Sequence, residues 1–203
     1  MIDDFAYPTA ESRLITFQIG AVCVNWSQID ATAGAILGNY MHVPSTHIDL
    51  ATGIIDLSRK CELIKAFAFL AERRETYIKL EKALNFLDND LRPIRNRYVH
   101  DSYSFFTGDH IRKAFKTRVA NSQSFTKKLI TRSVEPISAS ELTSFNTDLD
   151  ICAMYLTGRL ITMMVDPKKA DPSAHASLVK VCNETYEKLL DTITRYRSKT
   201  SSS

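Results

Sequence analysis

Residues 77–103, YIKLEKALNFLDNDLRPIRNRYVHDSY, decide the fold. Tyr77, Leu80, Leu84, Leu87, Leu91, Ile94 and Tyr98 advance in steps of three and four, which places them on one face of an α-helix. Pro93 lacks the N–H that would bond back to the Asn89 carbonyl, so a kink is expected just before the last part of the stretch. That last part, LRPIRNRYVHDSY, gathers Arg92, Arg95, Asn96, Arg97, His100 and Asp101. At about 100° per residue, Asn96 and His100 share a face roughly opposite the Leu91, Ile94, Tyr98 seam. Arg92 and Tyr103 extend that face. Arg95 borders the seam, so its alkyl stem can lie along apolar surface while the guanidinium sits at the edge.

The remainder of the chain reads as scaffold. With 203 residues, 44% hydrophobic content and a net charge of +3, it can bury one good core. The charge is too small to imply nucleic-acid binding by itself, so any basic surface has to be local. Cys23, Cys61, Cys152 and Cys182 lie far apart, without the paired spacing of a zinc site or redox couple, and read as reduced, mostly buried thiols. No metal and no cofactor is expected. The N-terminus lacks a basic region leading into an apolar one, and no apolar run reaches the roughly eighteen residues of a membrane span. A soluble, cytoplasmic protein without membrane contact is the expectation.

In chain order, Ile15, Ile19, Val22, Trp26, Ile29, Ala33, Ile36 and Tyr40 predict a helix from about Thr9 to Met41, with Thr9 as N-cap. At ~1.5 Å per residue it spans on the order of 48 Å, a length that favours a partner along its stripe, which another chain could supply. Trp26 sits within the stripe and reads as packing. Val43 to Gly53 breaks the periodicity and reads as a loop, and neither His42 nor His47 has a third metal ligand in spacing. Leu57, Cys61, Ile64, Ala68 and Ala71 predict the second helix, and the stretch quoted above is the third.

From Thr107 to Glu135 the pattern turns to alternation. AFKTRVA and FTKKLITRSV, separated by Ala120-Asn121-Ser122-Gln123, predict a β-hairpin inserted over residues 108–136. Between His110 and Val134 there are seven basic residues, Arg112, Lys113, Lys116, Arg118, Lys127, Lys128 and Arg132, and no acid. Two readings stay open: a phosphate-contacting arm whose binding falls with salt, or lysines protecting an edge strand from pairing. Ser138 to Glu141 has the capping-box pattern, and Leu142, Phe145, Leu149, Cys152, Leu156, Leu160 and Met163 form the stripe that follows it. Asp166-Pro167 stops that helix. A last helix from about Ser173 to Arg197 carries Leu178, Cys182, Leu189, Ile193 and Tyr196, and residues 198–203 are disordered by composition. The expected class is all-α: one domain over residues 1–197, a bundle of about five helices with the basic hairpin between the third and fourth.

Arg95-Asn96-Arg97-Tyr98-Val99-His100, late in a helix of a small bundle, resembles the signature of the HEPN family, in which an Arg is followed after four to six residues by a His. A polar residue, often Asn, follows that Arg. The resemblance covers roughly Thr9 to Phe106 and the chain after Ser138. It implies a homodimer whose two motifs face each other across a cleft. In catalytic members this is a metal-independent ribonuclease that leaves a cyclic phosphate; other members bind nucleotide or protein without catalysis, in defence or stress-response systems. HEPN toxins silenced by nucleotidylation carry a Tyr two residues after the His, whereas here that residue is Ser102 and Tyr103 comes one later. The residues suit the chemistry. Attack of a ribose 2′-oxygen on phosphorus needs a base that titrates near neutrality, as histidine does, and His100 is the local candidate. Arg95 would hold a permanent charge beside the phosphoryl oxygens, and Asn96 would orient the imidazole or hold a phosphate oxygen.

Overall fold

A computed structural model describes the backbone over residues 9–104, 111–122, 125–166 and 168–200, with side chains over the same residues except 102, 104–134, 199 and 200. The described residues are mostly helical, the class expected for an all-α protein. Backbone proximity divides the chain into two compact units, one of Met1–Cys23 and Ile94–Asn146, the other of Val24–Pro93 and Thr147–Ser203.

The first unit contains the start of helix α1 (Ala10–Tyr40), most of α5 (Arg92–His100), strands β1 (Ser102–Ser104), β2 (Ile111–Ser122) and β3 (Phe125–Pro136), and the start of α6 (Ala139–Met164). Thr9 caps α1 as expected, its hydroxyl accepting the Ser12 N–H at 3.1 Å. The capping box at α6 is half built. Ser138 Oγ accepts the Glu141 N–H at 3.2 Å, but the Glu141 carboxylate takes the Tyr98 hydroxyl instead of reaching back to the cap. Glu11 supplies the missing acceptor to this helix end, binding the Ala139 N–H at 3.0 Å. Ile137 and Leu142, the positions that bracket a helix start as a hydrophobic staple, are both buried. Tyr98 packs against Phe145 with ring centroids 5.1 Å apart, and the buried Asn146 donates to Gln18 Oε1 at 2.7 Å.

The three strands pair antiparallel in the order β1-β2-β3, with Ile111 opposite Pro136 and Ser122 opposite Phe125. Ala120, Asn121 and Ser122, expected between two strands, continue β2, because the backbone ladder runs on through Asn121 and Thr126. Gln123 and the segment 105–110 lie outside the described residues.

The second unit holds the rest of α1 and α6 together with α2 (Ile48–Thr52), α3 (Leu57–Ala71), α4 (Arg74–Asn85) and α7 (Pro172–Thr200). The end of α1 is closed by a Schellman arrangement. The Val43 N–H reaches the Gly38 carbonyl at 2.9 Å and the His42 N–H reaches Asn39 at 3.0 Å, with His42 in the left-handed region at φ 55°. The segment expected to be a loop after it instead forms a 3-10 turn (Ser45–His47) and the one-turn helix α2. Gly34 and Gly38 permit this. A Cβ on Gly34 would lie 2.8 Å from Thr52 Oγ1, and one on Gly38 would lie 2.8 Å from Ile48 Cγ1.

Trp26 is 8% exposed and belongs to the packing stripe of α1, as read from its spacing. No disulfide joins the four cysteines, and burial pushes the Cys61 and Cys152 thiols up to about 12. The buried Asp148 carboxylate takes both the Arg195 guanidinium and the Tyr196 hydroxyl, the latter at 2.9 Å. Glu72 Oε1 similarly accepts from Tyr40 Oη at 2.9 Å and Arg159 Nη2 at 3.1 Å. Helix α7 starts at Pro172 behind Asp171, whose carboxylate accepts the Ser173 N–H at 3.3 Å. It also runs past Arg197, so Ser198–Thr200 are helical rather than disordered, and Ser198 Oγ donates to the Arg195 carbonyl at 2.9 Å. Among the described residues no helix is long and apolar enough to cross a membrane.

Candidate functional site

The helix that carries the motif is prepared by a change of register before Pro93. Phe86–Leu91 is π-helical, and the Arg92 N–H bonds to the Leu87 carbonyl, five residues back rather than four. The missing N–H of Pro93 is thus absorbed by a wider turn. The released Asp88 carbonyl accepts Arg92 Nε–H at 3.2 Å, and the Asp88 carboxylate pairs with the same nitrogen at 2.8 Å. Ser58 Oγ donates to the other carboxylate oxygen at 3.1 Å. Arg92 therefore seals the π turn, and does not extend the polar face of Asn96 and His100 as its spacing suggested.

Beyond the turn, α5 sorts its polar residues sharply. Arg97 is gripped by Glu135 through both carboxylate oxygens, at 2.7 and 2.8 Å, with Asp101 at 3.8 Å. Tyr98 is 3% exposed and spends its hydroxyl on Glu141. Tyr103 is not on the helical face at all. The helix ends at His100, and Tyr103 lies in β1 with its hydroxyl donating to the Tyr98 carbonyl at 2.5 Å. Arg95 is half-buried, and its Nη1 donates to Asn96 Oδ1 at 3.1 Å. Asn96 and His100 are exposed, four residues apart on the last turns of α5.

This arrangement sets a guanidinium beside a side-chain amide, with an imidazole about 6 Å further along the helix axis. A charge that can face phosphoryl oxygens and a titratable ring thus share one helix end. Arg112, Lys113, Lys116, Arg118, Lys127, Lys128 and Arg132 occupy β2 and β3, but their side chains lie outside the described residues. The residues that spacing did not single out are the acids that consume the neighbours. Asp101, four after Arg97, and Asp88, four before Arg92, carry an i, i+4 signal that can be read locally. Glu135 and Glu141 come from β3 and α6, too far along the chain for any local pattern. Among the described residues no group of three or more His, Cys, Asp or Glu side chains could hold a metal ion. No protein-family model, no curated protein and no solved structure matches this chain.

Proposed function

We propose that this chain is a HEPN-like, metal-independent endoribonuclease that works in the cytoplasm as a homodimer, with Arg95, Asn96 and His100 from two copies completing one site. One observation carries the reading. On α5 Tyr98 is buried and bonded to Glu141 and the half-exposed Arg97 is paired with Glu135, whereas Asn96 and His100 stand exposed beside Arg95. In this reading His100 accepts the proton of a ribose 2′-hydroxyl as its oxygen attacks the adjacent phosphorus. Arg95 stabilises the charge that grows on the phosphoryl oxygens, and Asn96 orients the ring or a phosphate oxygen. The basic strand pair, inserted into a HEPN-type bundle, serves as an arm that contacts RNA phosphates.

Incubation of the purified protein with RNA in excess chelator tests this. Cleavage should leave cyclic phosphate ends, and His100→Ala should slow it by on the order of 10²–10⁴-fold. Absence of cleavage, or equal rates for the variant and the parent, overturns the enzyme and leaves a module that binds nucleotide or protein through the same surface.

A further inference from the structure

In the second unit, α1, α2 and α3 enclose a cleft of about 450 Å³ whose chemistry the proposed ribonuclease does not use. Lys60 lies in its wall, 2% exposed, with Nζ bonded to Asp30 Oδ1 at 2.8 Å and, more weakly, to the Asp30 carbonyl at 3.4 Å. An ammonium has three donors, and Asp30 offers acceptors to two of them, so Lys60 can give its third N–H to a ligand in the cleft whose wall it forms. Burying an ammonium is costly without full hydrogen bonding, which makes that third donor a strong demand for an acceptor. Asp30 keeps 40% of its side chain exposed, and Asp49 adds a second, exposed carboxylate to the lining. Thr52 lines the same space. Its hydroxyl proton goes to the Ile48 carbonyl at 2.9 Å, so its oxygen is left as an acceptor.

These groups select their ligand by what they lack. The carboxylates and the Thr52 oxygen need donors, and Lys60 needs an acceptor. Two carboxylates against one ammonium leave the cleft net negative, which repels phosphate. A hydroxyl does both jobs, donating to a carboxylate while accepting from an ammonium. Two hydroxyls on adjacent carbons match a carboxylate and its ammonium partner held 2.8 Å apart. The same logic lets an acidic side chain hold a ribose hydroxyl in dinucleotide-binding folds. Trp26 gives the lining an apolar edge for the C–H face of a sugar ring. We propose that this cleft binds a vicinal diol, presented either by a free sugar or by the ribose of a nucleoside without phosphate.

Calorimetric titration of the full chain with adenosine, 2′-deoxyadenosine, adenosine 5′-monophosphate and a methyl hexopyranoside tests the proposal and separates the sources. Adenosine binding, weakened about tenfold or more by loss of the 2′-hydroxyl, identifies the ribose, because one hydrogen bond to a charged group is worth that much. Hexoside binding without nucleoside binding identifies a free sugar and keeps the diol. In either case Asp49→Asn, an exposed and structurally mild change, should weaken the ligand several-fold. Lys60→Met should abolish binding, with thermal melting run beside it because that change strands Asp30. No heat from any diol up to about 10 mM overturns the proposal, as do equal affinities for adenosine and its deoxy form or tighter binding of the monophosphate.

Discussion

Asp148 on α6 and His100 on α5 are both titratable side chains carried on helices, and the protein treats them in opposite ways. Asp148 is 3% exposed, and its two carboxylate oxygens are taken by Arg195 and by the Tyr196 hydroxyl. His100 stands at the end of its helix in solvent. Burial explains the first: a carboxylate leaves water only when hydrogen bonds and an opposite charge replace the water. Tyr98 obeys the same rule on α5, with Glu141 as its partner. A polar residue required by packing is therefore recognised by the partners that its burial forced. Asn96 and His100 are exposed and under no such compulsion.

The largest effect on stability is expected at Asp148. Asp148→Ala removes the acceptor of the Tyr196 hydroxyl and the counter-charge of Arg195, and denaturant unfolding should show a loss of about 3 kcal/mol. The figure lies at the low end for a buried pair because 45% of the Arg195 side chain remains in water. Asp148→Asn keeps an acceptor for Tyr196 and should cost less. A loss below about 0.5 kcal/mol for the alanine variant would mean that these partners do not stabilise the fold, and the distinction between consumed and exposed polar residues would fail.

An intermediate effect is expected at Glu141. Glu141→Ala leaves the Tyr98 hydroxyl buried without its acceptor and should cost about 1–2 kcal/mol. Adding Tyr98→Phe should restore much of that loss, because no orphan donor then remains. Strictly additive costs in the double variant would show that the hydrogen bond is not what couples the two residues.

What could be read from the linear chain follows from how far each signal reaches. The stripes of α1, α3, α6 and α7 repeat every three to four residues, and most of their members are buried, whereas Ala71 is exposed and Ile19, Tyr40, Leu160, Met163, Leu178 and Tyr196 are half-buried. The Thr9 and Ser138 caps act over three residues and were equally plain. Helix α2 was hidden because five residues between Pro44 and Gly53 carry no period, and it depends on glycines of α1 that let it approach. The π turn was hidden too. Pro93 announced a disturbance, but its form depends on Asp88, Arg92 and Ser58 together, and Ser58 lies on another helix. At the candidate site the outward placement of Asn96 and His100 was legible, and so was the inward direction of Tyr98. The acids that separate Arg97 and Tyr98 from the exposed face were not, since Glu135 and Glu141 meet α5 only in the folded chain.

The smallest expected change in stability is the most informative about function. His100→Ala and Asn96→Ala, on an exposed helix end, should each shift unfolding by no more than about 0.5 kcal/mol. Asn96→Ala also removes the acceptor that Arg95 Nη1 uses at 3.1 Å, an exposed contact that contributes little to folding. Both variants should nonetheless lose RNA cleavage, so that activity and stability move independently at these two positions while stability alone responds at Asp148. A drop above about 1 kcal/mol on His100→Ala would place the imidazole among the consumed residues, as part of the helix end. Denaturant unfolding of the variant beside the parent separates that role from a surface residue kept for chemistry, for which the two curves should coincide while cleavage is lost.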